Sequence, residues 1–260
     1  MARKIGDVIL EMKNISLAFG GVKALTDISF DVREHEVRAI IGPNGAGKSS
    51  MLNVISGVYR PQQGEINFRG RVRKDMDTYD TAKSGVARTF QNIALFAGMS
   101  VLDNVMTGRS LQMNSSFLAQ ALALPSARKE EFENRKKVEE IIDFLELQSV
   151  RKTPVARLPY GIKKRVELAR ALAANPSILL LDEPMAGMNV EEKQDMCRFI
   201  LDVNDQYGST IILIEHDMGV VMDLSDRVVV LDYGRKIGDG TPDQVRANQD
   251  VINAYLGVAH

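Results

Sequence analysis

The sequence holds a single cysteine, Cys197, so no disulfide can form within the chain. Such sparing use suits a reducing compartment. The expected place of Cys197 itself is as a small apolar filler on a helix face. An excess of either charge is also missing: 33 basic residues face 34 acidic ones, for a formal net charge of −1. There is no global basic field to hold nucleic acid and no polybasic tail to hold an anionic lipid surface. No apolar run approaches the roughly 18 residues of a membrane span. The opening stretch "MARKIGDVILEMKN" starts with basic residues but lacks the apolar core of a signal peptide. Internal repeats and low-complexity tracts are absent as well. These absences predict a cytoplasmic chain that reaches any membrane through partners.

What the chain does have is 260 residues and 45% hydrophobic content, enough to bury a substantial core. "VILEMKNISLAF" and "LTDISFDV" carry β-branched residues with partial alternation and read as strands. "EVRAII", "SILLLDE" and "STIILIEHD" are short apolar runs, as expected of strands buried in a parallel sheet. "GEINFRG" reads as a strand after a turn, and "DRVVVLDYGRKIGDG" as a hairpin about Gly234. From Val101 to Ala174 the pattern turns helical, with Val138, Ile141, Ile142 and Leu145 on one face. "TPDQVRANQDVINAYLG" predicts a terminal helix pair, with Thr241 as the first cap and Pro242 behind it. "RSLQMNSSFLAQALALPSARKEEFENRKK" has the weakest pattern and is expected to be a mobile insert. Strands alternating with helices at both ends, around a helical middle, predict an α/β core with a helical insertion.

The chemistry starts at "IIGPNGAGKSSMLNVISG". Gly42, Gly47, Lys48 and Ser49 fit the spacing G-x-x-x-x-G-K-[ST]. Chance alone produces this pattern on the order of once per hundred chains of this length. Its position lowers that further, because it follows a buried strand and opens a helix, with Met51, Leu52, Ile55 and Val58 at helical spacing and Gly57 where a helix would stop. A loop with few Cβ atoms can turn backbone N–H groups toward one anion, and the helix N-terminus adds positive potential there. Lys48 then reaches the β- and γ-phosphates, and the Ser49 hydroxyl holds Mg²⁺. "ILLLDEP" ends a buried strand in two carboxylates. Asp182 would hold Mg²⁺ through water, and Glu183 would accept a proton from attacking water.

With these motifs in order, the chain resembles the nucleotide-binding subunit of an ATP-binding-cassette (ABC) transporter, from about Val8 to Leu256. The resemblance implies a P-loop NTPase (RecA-like) core with an antiparallel β-subdomain and an inserted α-helical subdomain. It implies one domain over residues 7–257, with 1–90 and 176–260 forming the nucleotide-binding core plus β-subdomain. Residues 91–175 would form the helical subdomain that carries the signature segment. It implies ATP on the loop Gly42, Pro43, Asn44, Gly45, Ala46, Gly47, Lys48, Ser49 and Ser50, with Phe19 in "LAFGGVKAL" stacked on adenine. Gln91 in "RTFQNIALF" would touch Mg²⁺ and the attacking water, joining Ser49 and Asp182 at the metal. Glu183 would be the catalytic base and His216 in "IEHD" the residue that contacts the γ-phosphate. Asn189 in "MAGMN" falls at the subunit-contact loop. Taken singly, Phe19 reads as a core aromatic, Gln91 as a surface amide and His216 as a hydrogen-bonded strand-end histidine. Their spacing and order turn each toward function.

The signature segment departs from the family's usual Leu-Ser-Gly-Gly-Gln. It reads Leu158, Pro159, Tyr160, Gly161, Ile162. Pro159 supplies neither hydroxyl nor N–H. The helix that follows has the apolar face Ile162, Val166, Ala169 and Ala173, and its N-terminus with the Gly161 N–H can still face an anion. Tyr160 and Gly161 are therefore expected to make a weaker contact to ATP held by the opposite subunit. Tyr160, "AGMN", the tail "VINAYLG" and the insert after Gly108 resemble the larger ATPase subunit of the branched-chain amino-acid importer branch. That branch implies two transmembrane permease subunits, a second ATPase subunit and, indirectly, an external solute-binding protein. It places the chain peripherally on the cytoplasmic face of the inner (plasma) membrane. Leu95, Phe96 and Met99 would offer apolar surface to the membrane subunits, or else fill the core. The rival readings are a soluble ABC ATPase that remodels or scaffolds proteins, as in iron–sulfur cluster assembly, and the ATPase of a lipid or lipopolysaccharide exporter. A DNA- or ribosome-acting ABC ATPase would need tandem cassettes or a long coiled-coil insertion, which this chain lacks.

Overall fold

A computed structural model of the chain describes residues 4–73, 77–113, 115 and 124–256. It separates into two compact units. The first takes the chain up to Arg88, Ser177–Pro184 and everything from Cys197 onward. The second takes Thr89–Pro176 and Met185–Met196.

The first unit is built on two sheets. β1 (Val8–Phe19) and β2 (Val22–Arg33) form an antiparallel hairpin, and β1 also pairs with β4 (Gln63–Phe68), which carries the short β5 (Arg71–Val72). The other sheet has the order β10-β9-β3-β8-β7-β6. In it β3 (Val37–Ile41), β7 (Ile178–Asp182) and β8 (Thr210–Ile214) are buried at every residue. That burial suits their mostly apolar runs, whose exceptions are Arg38, Asp182 and Thr210, since neither sheet face meets water. β6 (Val86–Arg88) and β9 (Arg227–Asp232) extend the parallel array. β10 (Arg235–Gly240) turns back antiparallel after Tyr233 and Gly234, both with positive φ, in the two-residue loop that suits a twisted hairpin.

The helix α1 (Lys48–Ile55) fills the space between the sheets and stops short of Val58, which the helical spacing includes and which is exposed beyond Gly57. Its Met51, Leu52, Val54 and Ile55 join Leu10, Ile28 and Phe30 on one side and Ile40, Leu180 and Ile214 on the other in one apolar cluster. Each such side chain contributes about 1.5–3 kcal/mol when fully buried. α2 (Thr78–Lys83) precedes β6 and is capped by Asp77. On the far side of the parallel sheet lie α7 (Met218–Leu224), α8 (Pro242–Arg246) and α9 (Gln249–Leu256). Thr241 caps α8 in a full capping box with Gln244, as the Thr-Pro signal predicts.

The second unit is helical: α3 (Val101–Thr107), α4 (Pro125–Phe144) and α5 (Tyr160–Ala173) pack on one another. Val138, Ile141, Ile142 and Leu145 are buried together with Val166, Ala169 and Ala173, while Ile162 is half-buried. Part of the expected mobile insert is ordered helix. α4 runs unbroken from Pro125, and Arg109 is 6% exposed and donates to Asn134 Oδ1 at 2.8 Å and to the Ala173 carbonyl at 2.8 Å. Residues 114 and 116–123 of that stretch lie outside the described residues. The second unit also claims Met185–Met196, which the sequence reading keeps with the core. The reason is local: Arg165 pairs with Asp195 at 3.1 Å, and Gly187 lies against the Tyr160 ring. α6 (Val190–Gln206) starts in this unit and continues into the first, where Phe199, Ile200 and Val203 are buried and Cys197 is half-buried.

Candidate functional site

Strand register gathers the candidate residues. Ile40 pairs with Ile214, and Ile214 pairs with Asp182, all in parallel strands. The residues that follow, Gly42, Glu183 and Glu215–His216, therefore leave the sheet at one carboxyl-terminal edge. In open α/β sheets this edge is where ligands bind.

The loop Gly42–Gly47 is shaped by backbone conformations that favour glycine. Gly42, Gly45 and Gly47 have φ of 151°, 82° and 100°. A Cβ at Gly42 would lie 2.0 Å from the Leu231 carbonyl, and one at Gly47 would lie 2.7 Å from the Ala24 carbonyl, whereas Gly45 faces open space. Gly234 donates its N–H to the Ala46 carbonyl at 3.0 Å and so ties the loop to the β9–β10 turn. The first bond of α1 is Met51 N–H to the Gly47 carbonyl. The N–H groups of Lys48, Ser49 and Ser50 thus open the helix as donors available to an anion. Lys48 is buried, and its Nζ donates to the carbonyls of Gly42 at 2.7 Å and Pro43 at 2.9 Å. Burial pulls its pKa down, while Glu183 and Asp182 pull it back up.

Glu183 sits at the strand end with φ of 49°, a left-handed conformation unusual for glutamate, held by its N–H to the Ile214 carbonyl at 3.0 Å. Such strain clusters at functional sites. Its Oε1 lies 2.5 Å from His216 Nε2. Asp182 is buried and accepts from Arg88 at 2.7 Å. Arg88 also donates to Asn53 Oδ1 at 2.6 Å and Ser56 Oγ at 3.2 Å. Arg88 therefore ties the carboxylate of β7 to α1, a role no sequence motif announced. Removing one partner of a buried pair strands the other. Arg88→Met is expected to cost about 3 kcal/mol, which for a chain of this size lowers Tm by roughly 6–12 °C. A thermal melt within 2 °C of the parent contradicts that role.

Phe19 ends β1 with 45% of its surface exposed, its ring edge-on to Tyr59 at 5.0 Å. It is not the fully buried core aromatic of the rival reading. Gln91, Tyr160 and Gly161 belong to the second unit. Gln91 is exposed on a loop that the signature helix holds from below. Lys164 Nζ donates to the Gln91 carbonyl at 2.9 Å, and Glu167 accepts from the Phe90 N–H at 3.2 Å. Both Lys164 and Glu167 are buried. Pro159 is the N-cap of α5 and gives it no side-chain cap. Gly161 is buried where a Cβ would lie 2.3 Å from Glu192 Oε1, so only glycine fits without moving that carboxylate. Asn189, expected at a subunit-contact loop, caps α6: Glu192 N–H bonds Asn189 Oδ1 at 2.9 Å, and Asn189 N–H bonds Glu192 Oε2 at 3.0 Å.

The donor chemistry fits ATP with Mg²⁺. The glycine cradle leaves room for phosphate at Gly45. Ser49 is exposed in the first turn of α1, and Asp182 supplies hard oxygens. No group of three or more His, Cys, Asp or Glu able to hold a metal occurs among the described residues. The ion would draw on the Asp182 carboxylate together with hydroxyl, amide and phosphate oxygens.

A parallel sheet, a phosphate-shaped loop opening a helix, and a carboxylate pair at the neighbouring strand end define a P-loop nucleoside triphosphatase. Residues 25–186 match the family described as "ABC transporter", and residues 235–260 match "Branched-chain amino acid ATP-binding cassette transporter". The chain is 38% identical over 251 residues to the high-affinity branched-chain amino acid transport ATP-binding protein BraF of Pseudomonas aeruginosa, covering 96% of this chain and 98% of that one. It is 35% identical over 251 residues to LivG of Escherichia coli, with the same coverage. A crystal structure of the ADP conformation of an ATP-binding cassette superposes with TM-score 0.83 at 31% identity, covering 96% of this chain and 99% of that one. The chain belongs to the ABC transporter family, and it is an ATP-binding cassette ATPase. Among the described residues no helix is long and apolar enough to cross a membrane.

Proposed function

We propose that this chain powers uptake of branched-chain or chemically related amino acids, as the ATP-hydrolysing subunit of an importer. It works peripherally at the cytoplasmic face of the inner membrane, against two permease subunits and beside a second ATPase subunit. An external solute-binding protein delivers the cargo, and nucleic acid has no part. The observation that carries this reading is similarity to branched-chain amino acid transport ATP-binding proteins along nearly the whole chain, together with the branch-specific match over residues 235–260.

ATP sits on Gly42–Ser50 with Phe19 against the base. Ser49, Asp182 and Gln91 would hold Mg²⁺, which would supply positive charge to offset that of the phosphates. Lys48 positions the γ-phosphate, and Glu183 takes the proton of the attacking water. His216, already against Glu183, holds that carboxylate and contacts the γ-phosphate. Little covalent chemistry falls to the protein; positioning and charge supply the rate. A second ATPase domain closes over the nucleotide head to tail, with Tyr160 and Gly161 of one subunit facing the ATP of the other. A dimeric cassette bound to ADP and phosphate, 25% identical to this chain, supports a pair of such domains. Phe96 is 54% exposed, and Asn104 holds its backbone at 2.8 Å (N–H) and 3.1 Å (carbonyl). With the half-buried Leu95 and Met99 it offers the permeases an apolar contact.

Because Pro159 leaves α5 uncapped, Pro159→Ser is expected to raise the helix's stability by about 1 kcal/mol and to speed hydrolysis by restoring a hydroxyl at the trans contact. A steady-state ATPase assay checks this, and an unchanged or slower rate counts against it. For the function as a whole, the tagged chain is purified from detergent-solubilised native membranes with Mg-ATP. Polytopic membrane subunits and a second ATPase are expected to co-purify. Recovery of soluble partners alone would replace the importer with a soluble remodeller.

A further inference from the structure

The helix α5 buries two charges among residues that are otherwise small or apolar. Lys164 and Glu167, one turn apart, are 3% and 1% exposed, and Lys164 Nζ lies 3.7 Å from Glu167 Oε2. A buried ion pair is a weak source of stability, because the cost of desolvation offsets most of its attraction. This pair holds backbone instead. Lys164 Nζ donates to the carbonyls of Phe90 at 3.3 Å and Gln91 at 2.9 Å, and Glu167 Oε1 accepts the Phe90 N–H at 3.2 Å. One turn further along α5, Arg170 donates to the Ala94 carbonyl. Beyond that, Asn104 of α3 holds the N–H and carbonyl of Phe96. All of these groups belong to the second unit.

The carbonyls of Phe90 and Gln91 belong to the two peptide groups that flank the Gln91 Cα. Each peptide group is planar, so holding both fixes the backbone from which the Gln91 side chain springs. The loop is exposed on its other side, and its own residues supply no comparable anchor at this point. We propose that Lys164 and Glu167 are positioning residues for Gln91, and that the buried pair is there to hold its amide in one working place. The proposal rests on the reading that Gln91 meets Mg²⁺ and the attacking water. Without the pair, that geometry must be found anew at each turnover. The loss then falls on the chemical step and on the Mg²⁺ requirement. Mg²⁺-free nucleotide affinity, which depends on Gly42–Ser50, is spared.

Lys164→Met together with Glu167→Leu, in the full chain, replaces both charges with apolar side chains of similar volume. Such exchanges usually leave stability intact, and Phe90 and Gln91 are exposed, so water can take up the released backbone groups. The variant's kcat for ATP is expected to fall about 10- to 100-fold. Half-maximal activity needs more Mg²⁺, and hydrogen exchange at the Phe90 amide quickens. The Kd for ADP without Mg²⁺, by titration calorimetry, stays at the parental value. In a Gln91→Ala background the same two substitutions cost no further rate, because the residue they serve is gone. Should the double exchange not fold, Glu167→Gln keeps an acceptor for Phe90, removes the counter-charge of Lys164 and moves the same readouts in the same direction by less. Parental kcat or parental exchange at Phe90 overturns the proposal. So does an equal further loss in the Gln91→Ala background, which marks a merely structural pair. If Gln91→Ala alone turns over like the parent, the reading of Gln91 falls first and this one with it.

Discussion

Glu183→Gln binds Mg-ATP as tightly as the parent and turns it over about 10²–10⁴-fold more slowly, the range lost when a general base is removed. The substitution keeps shape and hydrogen-bonding reach while removing basicity. Everything that places the side chain is left intact: the left-handed backbone, the N–H to Ile214 and the His216 contact. Only proton transfer should suffer, and the ATP-bound dimer should persist. Equilibrium ATP binding, steady-state turnover and size-exclusion chromatography with Mg-ATP check the three parts together. Turnover within a few-fold of the parent removes Glu183 from the role of base.

Lys48→Ala acts one step earlier. The ammonium is a charge-assisted donor to phosphate, worth about 1.5–3 kcal/mol, so nucleotide affinity is expected to fall by roughly 10- to 150-fold. The same Nζ also donates to the carbonyls of Gly42 and Pro43. The lysine thus braces the loop it serves, and the variant loses a preformed cradle as well as a charge. Calorimetric titration with ADP measures the loss, and parental affinity would place the phosphates elsewhere.

Features set by neighbours in sequence were readable without the structure. The strands "VRAII", "ILLLD" and "TIILI" are apolar but for Arg38, Asp182 and Thr210 because both faces are covered, and the phosphate loop is a local motif. The capping box Asn189-x-x-Glu192 was equally local and could have been read as a helix start. α4 was obscured for a physical reason: its first turns bury only Ala127 and Asn134, one small and one polar, so no apolar stripe shows before Val138. Arg88 was illegible for another. It meets Asp182 across 94 residues of sequence. Such a pair exists only once the sheet order is known.

The central claim is that this nucleotide site drives amino-acid uptake. Its most direct test is uptake of radiolabelled leucine, isoleucine and valine in native cells stripped of other carriers for them, with either the parental chain or Glu183→Gln. The parent should accumulate label, and the variant should fall to the background of cells lacking the chain. Equal uptake of all three by both strains would contradict the account.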